Sequence, residues 1–199
     1  CFFVSSSRRH TSCREVSWAR RWVYETGTVR LHLLDLPVSQ YGVDMADHTD
    51  DLRLAHILAD DADSLTMSRF GARDLTVSTK PDHSEVTDAD LAVEDSVRRT
   101  LSRMRSRDAV HGEERADTGD GPRRWIIDPI DGTANFLRGV PVWATLIALS
   151  VEDQIVASVV SAPALKRRWW AARGSGARTG TSLASATPIH VSNVGTPVS

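Results

Sequence analysis

The 199-residue chain has only two cysteines, Cys1 and Cys13, and both lie at its extreme amino terminus. Everything downstream lacks the thiols for a disulfide framework or a thiolate metal site, which fits a reducing cytoplasm. No apolar run is long enough to span a bilayer, so no membrane partner is expected. Neither sign of charge dominates: the formal net charge is −2, which gives no electrostatic reason to bind nucleic acid. Internal repeats are absent. What remains is an ordinary globular composition with enough apolar residues to build a core.

Residues 1–44 are rich in Arg and Ser, with Trp18, Trp22 and Tyr24 scattered and no sustained period. Arg8-Arg9 resembles a twin-arginine signal, yet no h-region or small-residue cleavage site follows. The expectation is a non-native or disordered extension, with Met45 as the natural start.

From Met45 the order of elements is legible. Thr49-Asp50-Asp51 forms an expected N-cap cluster, and Leu54, Leu58, Ala62 and Leu65 recur at helical spacing up to Phe70-Gly71. Leu75, Val77 and Thr79 alternate as a strand that Lys80-Pro81-Asp82 breaks. Thr87 caps a second helix with an inner stripe of Val93, Val97, Leu101 and Met104. Trp125-Ile126-Ile127 ends a buried strand. Val142–Val151, Ile155–Ser161 and Arg168–Ala172 read as three further strands, and Ile189-His190-Val191 as a short one. Val142–Val151 and Ile155–Ser161 are too apolar to face water, so their sheet calls for covering elements beyond this stretch. Helices alternating with strands, then a meander, predict an α+β or layered α/β sandwich.

The chemistry concentrates in Asp128-Pro129-Ile130-Asp131-Gly132-Thr133-Ala134-Asn135-Phe136. Pro129 fixes its own backbone and biases Asp128 toward an extended conformation. A tight turn is expected to fold Asp128 and Asp131 onto one cation or an adjacent pair. Gly132 permits close approach of a ligand, and a short helix starts at Thr133. Hard oxygen ligands beside helix-start amides suit a magnesium-dependent phosphate site. Turn chemistry alone predicts the same residues, and what argues for a site is two companions: Val86-Thr87-Asp88-Ala89-Asp90 opening a helix, and His111-Gly112-Glu113-Glu114 after a strand.

Together the three segments resemble the inositol monophosphatase family of magnesium-dependent phosphatases, in order and in spacing. The resemblance covers roughly Asp50 to Val191 and implies two or three Mg2+ ions. Glu113, Asp128 and the Ile130 carbonyl would hold the first, Asp128 and Asp131 the second, and Glu113 would help position a third and the attacking water. Asp90 would pair with Thr133 to orient that water; from the residues alone it could equally be a first-turn helix acid, but Thr87 already supplies the cap, which favours the catalytic role. Gly132 and Thr133 amides would hold the substrate phosphate. Lys80 matches a lysine the family often carries. Glu114 is either a solvated acid or an indirect participant. Trp143, Trp169 and Trp170 read as packing residues, and His111 as a neighbour of the site.

The family's third metal motif, a Trp-Asp pair, has no counterpart here, so the chain is expected to be the amino-terminal portion of such a domain, covering residues 45–199. Asn135–Trp143, Ser161–Leu165 and Arg168–Gly174 look like the bacterial histidinol-phosphate phosphatases of this superfamily. That implies hydrolysis of a small phosphorylated metabolite, histidinol phosphate, in histidine biosynthesis, by a homodimer when complete. An inositol or nucleotide phosphatase shares every motif. A module that binds metal without turnover is the alternative of another class.

Overall fold

The computed structural model describes residues 48–81 and 84–191. The readings for residues 1–44, for Met45, for Asp82 and for the stretch from Asn193 onward lie outside them. Two helices, α1 (Thr49–Arg69) and α2 (Asp88–Met104), pack on each other and against a seven-stranded sheet. Its strands are β3 (Ala109–Gly112), β4 (Arg123–Asp131), β5 (Ala144–Val151), β6 (Gln154–Ala162), β7 (Arg167–Ala172), β8 (Gly176–Gly180) and β9 (Thr187–Ile189), adjacent in chain order. Only β3 and β4 run parallel; every other pair is antiparallel. A small hairpin, β1 (Val77–Thr79) with β2 (Glu85–Thr87), leads into α2, and a five-residue helix, α3 (Thr133–Leu137), follows β4. The architecture is a layered α/β arrangement, as the pattern predicts.

The core lies between the helices and one sheet face. Leu54, Leu58 and Ala62 of α1 meet Val93, Val97 and Leu101 of α2 over Trp125, Ile127, Ile147, Leu149, Val159 and Trp170. Burial of side chains of this size contributes roughly 1.5–3 kcal/mol each, which is what holds the helices to the sheet. The opposite face carries Ala144, Leu146 and Ala162, with Val160 and Trp169 packed beside them. The wholly apolar reading of the strands beginning at Val142 and Ile155 thus has one face accounted for by α1 and α2.

Several expectations give way. Thr49-Asp50-Asp51 does not cap α1: His48 is the N-cap and makes no side-chain cap bond. Asp51 turns inward instead, accepting from Arg123 Nη2 at 2.8 Å. Met104 leaves the inner stripe and is exposed, because α2 ends there. Val77–Thr79 is exposed along its whole length, while Leu75 packs against a cluster of Ile130, Phe136 and Trp143. The last strand is Thr187–Ile189, ahead of His190 and Val191.

Beneath α1 lies a buried polar cluster. Arg168 donates to Asp63 Oδ2 at 2.6 Å and to Ser161 Oγ at 3.0 Å, and pairs with Asp60 at 2.8 Å. Its Nη1 also reaches His56 Nδ1 at 3.2 Å, so that nitrogen accepts and the ring proton sits on Nε2. Burial, then the Arg168 charge, pushes the His56 pKa down to about 4, with Asp60 opposing. A depressed folded pKa means that stability is full above the free value of 6.5 and is lost as pH falls toward about 4. Asp63 acts with the opposite sign: burial raises its pKa, so its contribution is lost as pH rises. His56→Gln keeps an acceptor for Arg168 but cannot charge. Urea unfolding should show the loss of stability between pH 6.5 and about 4 shrinking in that variant, by on the order of 3 kcal/mol at most. An unchanged acid slope would contradict this assignment of the proton.

Candidate active site

The site begins where β3 ends alongside β4, which runs on for four more residues. Their parallel register sets Gly112 beside Ile127, and the Glu113 N–H donates to the Ile127 carbonyl at 3.2 Å. Glu113 therefore stands next to Asp128 on the neighbouring strand. The expected tight turn at Asp128–Asp131 is instead a bulged strand. Asp128 pairs with Leu146 and Asp131 with Ala144, so β4 uses three steps where β5 uses two. Three steps along a regular strand would put the two carboxylates on opposite faces; the extra residue returns them to the same one. Thr145 Oγ1 fastens the bulge by donating to the Pro129 carbonyl at 2.7 Å. Both aspartates are buried, an environment that favours carboxylates only where positive charge is at hand.

Gly132 follows in the left-handed region, at φ 94°, and serves as N-cap of α3. A Cβ there would also sit 3.2 Å from the Val142 carbonyl, so both conformation and space select glycine. Asn135 and Phe136 N–H groups return to the Gly132 carbonyl. The earlier amides, at Thr133 and Ala134, have no carbonyl a turn before them to bond. Asn135 Nδ2 ties this helix to the Val142 carbonyl at 2.8 Å. Phe136 packs edge-on to Trp143 at 5.0 Å and lies 5.5 Å from Phe70, which fixes α3 against the end of α1. Trp143 and Trp170 are thus buried packing residues; Trp169 is half-buried under the Arg167 guanidinium.

The other acids converge from α2 and the loop after β3. Asp90 is buried at the third position of α2, where its Oδ2 accepts from the Thr87 N–H at 2.8 Å and the Thr87 hydroxyl at 2.6 Å. Thr87 Oγ1 accepts in turn from the Asp90 N–H, closing a reciprocal capping box. The expected Asp90–Thr133 pair is not formed: Asp90 bonds Thr87, and the Thr133 hydroxyl donates to the Ile130 carbonyl at 3.0 Å. Burial raises the Asp90 pKa, Thr87 restrains it, and the negative charge of Glu113 adds to the rise.

Lys80 sits among these acids. Its Nζ donates to Glu114 Oε1 at 2.6 Å and to Glu113 Oε1 at 3.2 Å. Burial works against the Lys80 charge, but the bond to Glu114 and the two carboxylate charges hold its pKa above the usual lysine range. Burial raises Glu114 in the opposite sense; Lys80 pulls it down, and Glu113 and Asp90 push it up. Glu114 is consequently a partner held by Lys80, its side chain mostly withdrawn from solvent, rather than a solvated acid. His111 bonds Asp117 at 2.6 Å and is a neighbour, as expected.

Among the described residues, no three His, Cys, Asp or Glu side chains are gathered closely enough to hold an ion as they stand. The donor set nevertheless suits a hard cation: carboxylates and a carbonyl, all oxygen, with a lysine ammonium occupying part of the acidic space. Sequence reasoning also passed over Glu94, which is fully buried and accepts from the Glu114 N–H at 2.7 Å. Its position one helical turn beyond Asp90, with Arg98 one turn further, is the signal that could have found it.

The model of the inositol monophosphatase family matches residues 48–198. The chain belongs to the inositol monophosphatase family. It is 61% identical over 156 residues to a histidinol-phosphatase from Streptomyces coelicolor, covering 76% of this chain and 59% of that protein. It is 58% identical to a histidinol-phosphatase from Mycobacterium tuberculosis, covering 73% of this chain and 56% of that one. The solved structure of an IMPase from Thermotoga maritima superposes with a TM-score of 0.66 at 30% identity, over 73% of this chain and 55% of the other. The chain spans a little over half the length of the curated relatives it matches. Among the described residues, no helix is long and apolar enough to cross a membrane.

Proposed function

We propose that this chain carries the phosphate- and metal-handling part of a magnesium-dependent phosphomonoesterase that converts histidinol phosphate to histidinol. The observation that carries the reading is the β4 bulge, which sets Asp128 and Asp131 on one face beside Glu113. Glu113, Asp128, Asp131 and the Ile130 carbonyl would hold the ions. Bound magnesium lowers the pKa of water and neutralises the attacking and leaving oxygens of a phosphate ester. Thr133 and Gly132, at the start of α3, present amides to the phosphate oxygens. Asp90 and the Thr133 hydroxyl would orient the attacking water, which requires that hydroxyl to leave the Ile130 carbonyl it bonds in this structure. Burial gives Asp90 a greater proton affinity than an exposed aspartate, which suits it to accept a proton from that water. Lys80 balances the acids until substrate and metal arrive, and Glu114 keeps it in place.

The choice of histidinol phosphate rests on the two histidinol-phosphatase relatives and on Leu137–Trp143 and Ser161–Gly174. The remainder of the reading is a small phosphorylated metabolite as partner, a homodimeric whole, and a reducing cytoplasm suited to a chain without cysteine after Cys13. A second reading, metal binding without turnover, draws on the acids not being gathered around one point and on the partial span of the relatives. The test is phosphate release from L-histidinol phosphate and from inositol 1-phosphate, with magnesium and with chelator. It is run on this chain alone and on this chain joined to the carboxy-terminal remainder of the Streptomyces coelicolor relative. Expected is magnesium-dependent release by the joined protein, with the larger kcat/KM for histidinol phosphate. Equal or reversed preference would contradict the substrate assignment, and a chain that binds metal with no release in either form would favour the second reading.

A further inference from the structure

Glu94 lies on the α2 face that looks toward the loop after β3, and it is fully buried. A carboxylate removed from water costs several kcal/mol unless donors surround it. Three do. Its Oε2 accepts the Glu114 N–H at 2.7 Å, and its Oε1 accepts the Arg115 N–H at 3.1 Å and Arg98 Nε–H at 2.8 Å. Two of the three donors are therefore backbone amides of the loop that carries Glu113 and Glu114. Arg98 grips the same loop further along, through Thr118 Oγ1 at 3.1 Å and the Arg115 carbonyl at 3.4 Å. Gly112 completes the arrangement, since a Cβ on it would collide with the Glu94 carboxylate. Any side chain at position 112 must push that carboxylate off the amides it holds.

We propose that Glu94 is the positioning residue of the acidic loop. It fixes the backbone after Glu113 and thereby aims Glu113 at the Asp128–Asp131 pair, with Gly112 kept small to leave Glu94 its place. This rests on the reading of Glu113 as a metal ligand. Glu94 touches neither substrate nor metal; it acts through the two amides. Outer partners that orient a ligand change metal affinity by about 10–100-fold when removed.

The probe is Mn2+ added to the whole chain, with free ion counted by electron paramagnetic resonance and loop order read by amide hydrogen exchange at Glu114 and Arg115. Glu94→Gln should speed exchange at those two amides and weaken Mn2+ binding about tenfold, with Tm little changed. Asp128→Asn, the control for the site itself, should weaken Mn2+ binding while leaving that exchange as it was. Gly112→Ala should reproduce Glu94→Gln, and should add under about twofold in a Glu94→Asp background, where the shorter side chain leaves room for the methyl. If Glu94→Gln does not fold, Gly112→Ala and its Glu94→Asp partner carry the test. Normal Mn2+ affinity in Glu94→Gln or Gly112→Ala, alongside a weakened Asp128→Asn, would overturn the positioning role and leave the site standing. Unchanged binding in Asp128→Asn would overturn the reading of the site, and this inference with it.

Discussion

Asp131→Asn should lower magnesium-dependent phosphate release by orders of magnitude in the chain joined to the carboxy-terminal remainder of the Streptomyces coelicolor relative. A neutral amide is a poor ligand for a hard dication, and Asp131 reaches the shared face only because the bulge delivers it there. The backbone pairing of Asp131 with Ala144 does not depend on the carboxylate, so circular dichroism should be unaltered. Near-normal turnover of this variant at saturating magnesium would remove Asp131 from the site.

Arg168→Ala should be the most damaging single change outside the site. Arg168 is buried between β7 and α1, and its guanidinium is shared by Asp63, Asp60, Ser161 and His56. Truncation leaves Asp63, whose carboxyl is already disfavoured as an anion by burial, with no opposing charge from Arg168. Breaking a buried pair in this way costs about 3–5 kcal/mol, a large share of what a domain of this size has to lose. Urea unfolding of the variant should show that loss. A cost under about 1 kcal/mol would mean that the cluster is held by packing of Trp170 and His56 rather than by charge.

The elements were legible where periodicity and burial agree. Leu54, Leu58 and Ala62 mark α1, and Val93, Val97 and Leu101 mark α2, because each stripe faces the same core. Met104 misled because periodicity does not say where a helix stops. Asp51 misled for a different reason: local cap chemistry predicts a solvent-facing acid, whereas its partner Arg123 lies 72 residues away. In the site, residue types pointed to the acids at 113, 128 and 131, and the structure brings Glu113, just past the end of β3, next to Asp128 within β4. The bulge was hidden, since Pro, Asp and Gly fit a turn as well as a kinked strand, and only the β5 register distinguishes them. Asp90 shows the limit from the other side. Thr87 as the cap leaves Asp90 looking spare, yet a capping box uses both residues, so the same acid serves the helix start and borders the site. Glu94 was harder to see: its spacing to Asp90 and Arg98 is a faint signal, and two of its three donors are backbone amides, which carry no sequence signature.

The central claim is that Glu113, Asp128 and Asp131 hold the cation. Crystals of the chain soaked in MnCl2 and measured at the manganese edge report the position of the ion directly. The account predicts an anomalous peak bounded by these three carboxylates and the Ile130 carbonyl, with Lys80 Nζ displaced from Glu113. A peak elsewhere, or a chain saturated with Mn2+ that keeps Lys80 on Glu113 and shows no density beside Asp128, would contradict it.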